Sequence, residues 1–496
     1  MPQSTPQVTP SQRLFGKVAL LLVVIALIGN VLAFAYLRPY GILRDLSPLA
    51  EAREHIHSRY VGEVNDQELI DAALRGMASA LGDDYTQYFS NEELNMFNEH
   101  VSGEFTGIGA SIDIYEERLR IVAPMDNSPA WNSGVMPGDI VLEIDGKDTL
   151  GIDIYEAMRQ LKGKAGTDVT IKVRHRTGDI EDITITRDKI HIDSVTGYRR
   201  DPGNGYDYMI DPQNKIAYVR LIQFGDTSLQ EIEVVLKTLK SQGMTALILD
   251  LRNNGGGLLD GAAGMADIFL TGGQTIVSTK GKGAGTETLV SSDATLLPDL
   301  PLVVLINENS ASASEILAGA MLDNDRALLV GSRTFGKGSV QQLLPLNGGT
   351  SAIKLTTAYW YLPSGTLIHR KKDAERWGVD PSPGNFVPMD DEQLRAMLIK
   401  RREAEVDDPY AKLDGPVTPK WLREEMLDDP LAAALQAAQE MLKSDELPRV
   451  GIDRDVALAE PTQLQRLETR KQELSDLLEQ IEQDIEALAT EDQATP

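Results

Sequence analysis

Cysteine is absent from the 496 residues, which excludes disulfides, thiolate metal sites and thiol nucleophiles and leaves the redox compartment open. Histidine is scarce, at six residues. Only His369 lies near the stretches that carry chemistry, in a basic His-Arg-Lys-Lys run that reads as solvated surface. No Gly-x-Ser-x-Gly elbow occurs, so a Ser–His–Asp hydrolase has little to stand on. Positive charge is short: 48 Lys and Arg face 75 Asp and Glu, for a net −27. That balance argues against nucleic-acid binding and against broad adhesion to anionic lipid. One long uncharged apolar run does occur, at residues 18–37, and it is long enough to span a bilayer. Arg13 and Lys17 before it place the N-terminus on the cytoplasmic side. Ala33-Phe-Ala35 offers the alternative of a cleaved signal. Either way, nearly all of the chain beyond Arg38 is exported.

Two short stretches carry chemistry. The first, Asn-Ser-Ala-Ser-Ala-Ser-Glu-Ile at 309–316, comes after the apolar strand-like run Leu302-Val-Val-Leu-Ile306 and leads into a helix-like segment. A serine at such a strand-to-helix turn sits beside unpaired backbone N–H groups and the positive end of a helix dipole, which together can hold an oxyanion. The second, Thr-Phe-Gly-Lys-Gly-Ser-Val-Gln at 334–341, places Lys337 between two glycines with no acid beside it. A lysine in a dry site loses its proton more readily and acts as a base. On spacing alone, Ser310, Ser312 and Ser314 serve equally as helix caps and Lys337 as a turn lysine. A phosphate-binding loop is nearly matched by Gly331-Ser-Arg-Thr-Phe-Gly-Lys-Gly338. The hydroxyl required directly after the lysine is missing, and the next residues read as a short strand, so an ATPase reading fails.

Read together, Ser-Ala-Ser-Ala-Ser-Glu-Ile and Gly-Ser-Arg-Thr-Phe-Gly-Lys-Gly-Ser-Val-Gln resemble the paired signature of the C-terminal processing peptidases (tail-specific proteases), serine endopeptidases with a Ser–Lys dyad. The resemblance puts the nucleophile on Ser312, the general base on Lys337 and the lysine-orienting glutamine on Gln341. Glu315 belongs to the same motif and is assigned a supporting role. Asp250-Leu-Arg-Asn-Asn-Gly-Gly-Gly-Leu-Leu259 is similar to the family's oxyanion segment, with Gly255 where the family usually has proline. By resemblance the N–H groups of Ala313 and of Gly256 or Gly257 form the oxyanion hole. A second departure is Gly378-Val-Asp-Pro-Ser382, which replaces the usual Gly-x-x-Pro-Asp.

The same resemblance organises the rest into a multidomain α/β protein. Residues 1–17 are cytoplasmic and 18–37 form the membrane anchor. Residues 38–100 are a helical segment, in which Leu69, Ala72, Ala73, Leu74, Met77 and Leu81 recur at helical spacing up to Gly82. Residues 101–188 resemble a PDZ domain whose carboxylate-binding loop is Phe105, Gly107, Ile108, Gly109 and Ala110. Residues 189–389 form the protease core, crotonase-like by resemblance, with strands alternating with helices. Residues 390–459 hold a charged insertion, read as lying outside the core, and a closing helix that starts at Asp429-Pro430. At 460–490, leucines and isoleucines fill heptad positions, with Lys471 the polar exception, as in a coiled coil that would make a homo-oligomer. One amphipathic helix folded back on its own domain fits the same pattern. The implied activity is cleavage of exported proteins near a free C-terminus on the outer side of the plasma membrane, without metal, cofactor or nucleic acid. A catalytically silent PDZ scaffold is the alternative, and retention of Ser312, Lys337 and Gln341 together argues against it.

Overall fold

The computed structural model of the chain describes residues 40–453, apart from 126, 202–204, 283, 284, 373, 375, 408–415 and 445, together with residue 471. The apolar run at 18–37 lies outside the described residues, as do the heptads at 460–490 apart from Lys471. No helix among the described residues is long and apolar enough to cross a membrane. The chain divides into two units, residues 1–88 and 89–496.

The first unit holds α1 (Tyr40–Arg59) and α2 (Asp66–Ser79). The Asn65 side chain accepts from Gln67 N at 3.0 Å and so caps α2, as its position before the acidic first turn dictates. Asp66 joins the two helices by accepting from Arg53 Nε at 2.8 Å and contacting His57 Nε2 at 2.6 Å. The second α-helix ends at Ser79, three residues before Gly82.

The second unit opens with α3 (Asn91–Ser102), which Gly103 terminates at a left-handed φ of 66°. A PDZ-like sheet comes next: β1 (Glu104–Gly107), β2 (Ala110–Tyr115), β3 (Arg118–Pro124), β4 (Ile140–Ile144), α4 (Ile154–Leu161), β5 (Asp168–Arg174), β6 (Ile180–Thr186) and β7 (Asp188–His191). Strand order is β2-β3-β4-β5-β6, all antiparallel, with β1 paired separately to β7. Alternation in β5 buries Val169, Ile171 and Val173 against Ala157 and Leu161 of α4, the half-buried pattern the sequence shows. Strand β2 is an edge, so one row of its backbone groups is left for another strand.

The core brings β8 (Val195–Thr196), β9 (Ile216–Leu221), α5 (Ser228–Ser241), β10 (Ala246–Asp250), α6 (Leu259–Asp267), β11 (Thr275–Gly281) and β12 (Thr286–Val290). Its later elements are β13 (Leu302–Ile306), α7 (Ala313–Asp323), β14 (Leu328–Gly331), β15 (Ser339–Leu346) and β16 (Ser351–Tyr361). The main sheet has the order β8-β9-β10-β13-β14, and only β8 is antiparallel. Parallel strands covered on both faces are expected to be mostly apolar, and they are, apart from Arg220 on β9 and Asp250 at the end of β10. Leu247, Leu249, Leu302, Val304 and Ile306 face α5, α6 and α7; Ala246, Ile248, Val303 and Leu305 face the other way. Each fully buried aliphatic side chain contributes about 1.5–3 kcal/mol, so the two faces supply most of the core's stability. Strands β15, β16, β11 and β12 make a separate antiparallel sheet.

The second face is covered by the C-terminal part: α8 (Asp391–Asp407), α9 (Pro419–Glu424) and α10 (Asp429–Met441). Leu431, Leu435, Ala434 and Ala438 of α10 pack on Ile248 and Val303, as a closing helix should. The charged insertion, however, is not outside the core. Met397 is 2% exposed, Leu422 0% and Asp428 2%. Its few apolar residues fall where the sheet needs cover, and its charges find buried partners rather than water. Adjacent arginines of α8 point to different parts of the unit: Arg401 Nη2 donates to Tyr218 Oη on β9 at 3.0 Å, and Arg402 Nη1 to Asp113 Oδ2 on β2 at 3.2 Å.

Candidate active site

Strand β13 ends at Ile306 and the chain turns through 307–312 into α7. The three serines of this turn and the start of α7 separate cleanly. Ser310 is fully buried and its Oγ donates to Leu251 O at 2.8 Å; Ser314, equally buried, donates to Asn254 O at 2.9 Å. Both are spent in pinning the glycine-rich loop. Ser312 is the half-exposed one, held at φ 57° and ψ −113°, a conformation L residues avoid. Strain of this kind at a strand-to-helix turn aims a side chain outward over the end of a sheet.

Glu315, one turn into α7, is fully buried and takes four hydrogen bonds. Its Oε2 accepts from Ser312 N and Lys337 N, each at 2.8 Å; its Oε1 accepts from Gly336 N and Thr334 Oγ1, each at 2.6 Å. The amides of Ser312 and Lys337 therefore share one oxygen, and they can lie no farther apart than twice that distance. Burial pushes the Glu315 carboxyl up, and the hydrogen bonds from Thr334, Gly336, Lys337 and Ser312 only partly offset it. The reach back to Ser312 N is legible in the spacing Ser-x-x-Glu, half of a capping box; the grip on the lysine loop is not.

The lysine loop is fixed from its other side by the 368–380 segment. Val379 N donates to Thr334 Oγ1 at 2.7 Å, Arg370 N to Gly336 O at 2.8 Å, and Arg333 pairs with Asp380 through two bonds of 2.7 Å. The departure at 378–382 is thus part of a fitted clasp. His369 is not solvated surface: it is half-buried, its ring centroid 5.1 Å from that of Tyr359, and a Cβ on Gly338 would come within 2.7 Å of its backbone nitrogen. The aromatic neighbour and the tight glycine hold His369 inward, while Arg370, Lys371 and Lys372 after it stay exposed. Gln341 Nε2 donates to Ser339 Oγ at 2.9 Å and Thr356 Oγ1 at 3.2 Å, which leaves its Oε1 as the acceptor.

The glycine-rich loop abuts the serine. A Cβ on Gly256 would meet Ser312 Cβ at 2.8 Å and Ala313 N at 2.9 Å. The Gly256 amide is already committed to Asn254 Oδ1 at 2.9 Å. Those of Gly257 and of Ala313, the first residue of α7, find no acceptor among the described residues. Gly255 stands in open space without a left-handed φ, so glycine in place of proline there changes little. The base of the loop holds residues that sequence reasoning missed. Arg252, 5% exposed, bonds Asp250 through Nη2 at 2.7 Å and Asp428 through Nη1 at 2.6 Å. Burial pushes the Asp250 carboxyl up, but Arg252, with Arg220 and Arg401, holds it well below the usual range.

In the PDZ-like domain the loop carbonyls are tied inward: Ile108 O accepts from Ala130 N at 2.8 Å, and Gly109 O from Ser128 Oγ at 2.7 Å. The Ile108 and Gly109 amides find no acceptor among the described residues. Phe105 pairs in register with Ile190 under the Lys162 ammonium, 5.2 Å from its ring, while Gly107 ends β1 and Ala110 begins the edge strand.

Residues 215–382 match peptidase family S41, residues 120–175 the PDZ domain, and residues 38–93 the activating protease CtpB N-terminal domain. The chain is 37% identical over 330 residues to a probable CtpA-like serine protease of Staphylococcus aureus, a match that takes in 66% of this chain and 63% of that relative's length. It is 38% identical over 333 residues to a carboxy-terminal-processing protease of Bartonella bacilliformis, covering 66% of this chain and 73% of that one. Among solved structures, a photosystem II D1 C-terminal processing protease is similar at 27% identity over 73% of this chain and 91% of its own, with a TM-score of 0.40. With Ser312 and Lys337 gathered on Glu315 beside the glycine-rich loop, and at 38% identity to the Bartonella bacilliformis protease over 73% of its length, the chain belongs to peptidase family S41.

Proposed function

We propose that the protein is a serine endopeptidase that takes the C-terminal tail of an exported protein in its PDZ domain and cuts nearby. The observation that carries this reading is the sharing of Glu315 by the Ser312 and Lys337 amides. Ser312 Oγ attacks the peptide carbonyl while Lys337 Nζ, entering neutral, takes its proton; the Ala313 and Gly257 amides hold the oxyanion. Lys337 then returns that proton to the departing amine, leaving an acyl-serine that water hydrolyses. Gln341 Oε1 orients the lysine. The tail's carboxylate meets the Ile108 and Gly109 amides, and its strand adds to β2. Residues 18–37 anchor the protein in the plasma membrane with the protease outside, the core is crotonase-like, and the 460–490 heptads make an oligomer.

The experiment is cleavage of an unfolded protein or a peptide with a free C-terminus, with fluorophosphonate labelling mapped to its serine. Wild type cleaves and is labelled at Ser312; Ser312→Ala does neither. Lys337→Arg keeps the charge but cannot give up its proton, and it loses about 10²–10⁴-fold or more in kcat. Near-normal cleavage by Lys337→Arg defeats the dyad, and binding of tails with no cleavage by wild type leaves only a scaffold.

A further inference from the structure

Arg252 stands at the root of the glycine-rich loop, four residues before Gly256, and faces two buried carboxylates. Asp250 takes its Nε at 3.0 Å and its Nη2 at 2.7 Å; Asp428 takes its Nη1 at 2.6 Å and its Nη2 at 3.1 Å. One guanidinium cannot balance two carboxylates, and a net charge left in a dry site is costly. Half-buried Arg220, across from Asp250 on β9, contributes from the rim. A third, part-buried guanidinium comes from the charged insertion. Arg401 donates to Tyr218 Oη at 3.0 Å, and Tyr218 Oη donates to Asp250 Oδ2 at 2.7 Å. The Tyr218 ring is fully buried in the sheet, so its hydroxyl is a fixed relay. Asp428 itself is anchored, accepting from Leu431 N at 3.0 Å at the start of α10.

We propose that Arg401 is a positioning residue for the oxyanion loop: through the Tyr218 relay it holds Asp250, and with it Arg252, in place and so fixes where the Gly257 amide lies relative to Ser312. This rests on the protease reading. Nothing local marks the role, because α8 reaches the loop only through space. A shift of an ångström in a transition-state donor costs about 10²-fold, and loss of one such donor about 10²–10³-fold. The Arg401 effect, being indirect, falls at or below the lower end.

The test compares full-length wild type with Arg401→Ala, Arg401→Lys and Tyr218→Phe. Readouts are kcat and KM on a peptide with a free C-terminus, the rate of Ser312 labelling by a fluorophosphonate, and the unfolding midpoint. Arg401→Ala is expected to lose about 10- to 100-fold in kcat and labelling rate with KM within twofold, at temperatures where it is fully folded. Arg401→Lys, which still donates to Tyr218, recovers most of that loss. Tyr218→Phe, which keeps the ring and removes the relay, moves kcat the same way even if Arg401→Ala fails to fold. A lowered midpoint with unchanged kcat in the folded variants overturns the proposal, as does a loss that lysine fails to rescue. If wild type is not labelled at Ser312, the protease reading falls and takes this one with it.

Discussion

Glu315→Gln is the most informative single change at the candidate site. It conserves shape but replaces one carboxylate oxygen by an amide donor, and the site offers four donors to that group and no acceptor except the Thr334 hydroxyl. The best fit turns the new amide toward Thr334 Oγ1 and leaves Gly336 N–H without a partner, at about 1–3 kcal/mol for a buried donor. The bonds from Ser312 N and Lys337 N survive but fall from charged to neutral strength, roughly 1 kcal/mol each. Relief of the buried charge works the other way and trims the total. The net loss is about 2–4 kcal/mol, or roughly 5–15 °C in the midpoint of the core's unfolding. Loosening the serine turn from the lysine loop should also cost about 10²-fold in kcat.

A pH signature accompanies it. Because burial raises the Glu315 carboxyl, the folded protein holds that proton more tightly than the unfolded chain does. Between the unfolded value, about 4.3, and the raised folded value, the folded state binds more protons, so this group's contribution to stability falls as pH rises; Glu315→Gln lacks that slope. Calorimetric unfolding at several pH values and peptide cleavage measure both effects. A variant within about 2 °C and threefold of wild type would refute the argument that Glu315 holds the site together.

Three further outcomes are expected. Gly256→Ala forces a methyl group against Ala311 O, Ser312 and Ala313 at a φ of 99°, and should lower kcat at least about 10²-fold, whereas Gly255→Ala enters open space and stays within a fewfold; equal activities of the two proteins would show that the loop does not abut the serine functionally. The mature protein should remain in the membrane fraction after an alkaline wash, and removal of 460–496 should reduce its mass by light scattering; release into the soluble fraction, or an unchanged mass, counts against the anchor or the coiled coil respectively.

Much of the core was readable because its signals are local. The apolar runs at 246–249 and 302–306 announce strands covered on both faces, and Asp429-Pro430 announces a helix start. Local pattern could not choose among Ser310, Ser312 and Ser314, since all three suit a cap; only the carbonyls of Leu251 and Asn254, which claim the outer two, separate them. Nor could composition place 390–428. Charge normally means water, but Arg252 and Asp428, 176 residues apart, neutralise one another out of reach of any sequence window. His369 was misread for the same reason: its basic neighbours are visible in sequence, Tyr359 and the bare Gly338 against it are not.

The paired arginines of α8 give that helix two ends with different sensitivity to electrolyte. The Arg402–Asp113 contact is half exposed on the arginine's side, and Arg120 competes for the same carboxylate, at 2.7 Å. Mobile ions screen such a contact, with a Debye length of about 10 Å at 0.1 M and about 3 Å at 1 M. The Arg401 end is part-buried, and its partner Tyr218 is fully buried beside buried Asp250 and Asp428, so mobile ions screen it less. Rising salt therefore unfastens the strut from the edge strand β2 first, while its other end stays seated beneath the glycine-rich loop. The two parts of the unit are joined by a tether whose slack is set by the ionic strength of the compartment.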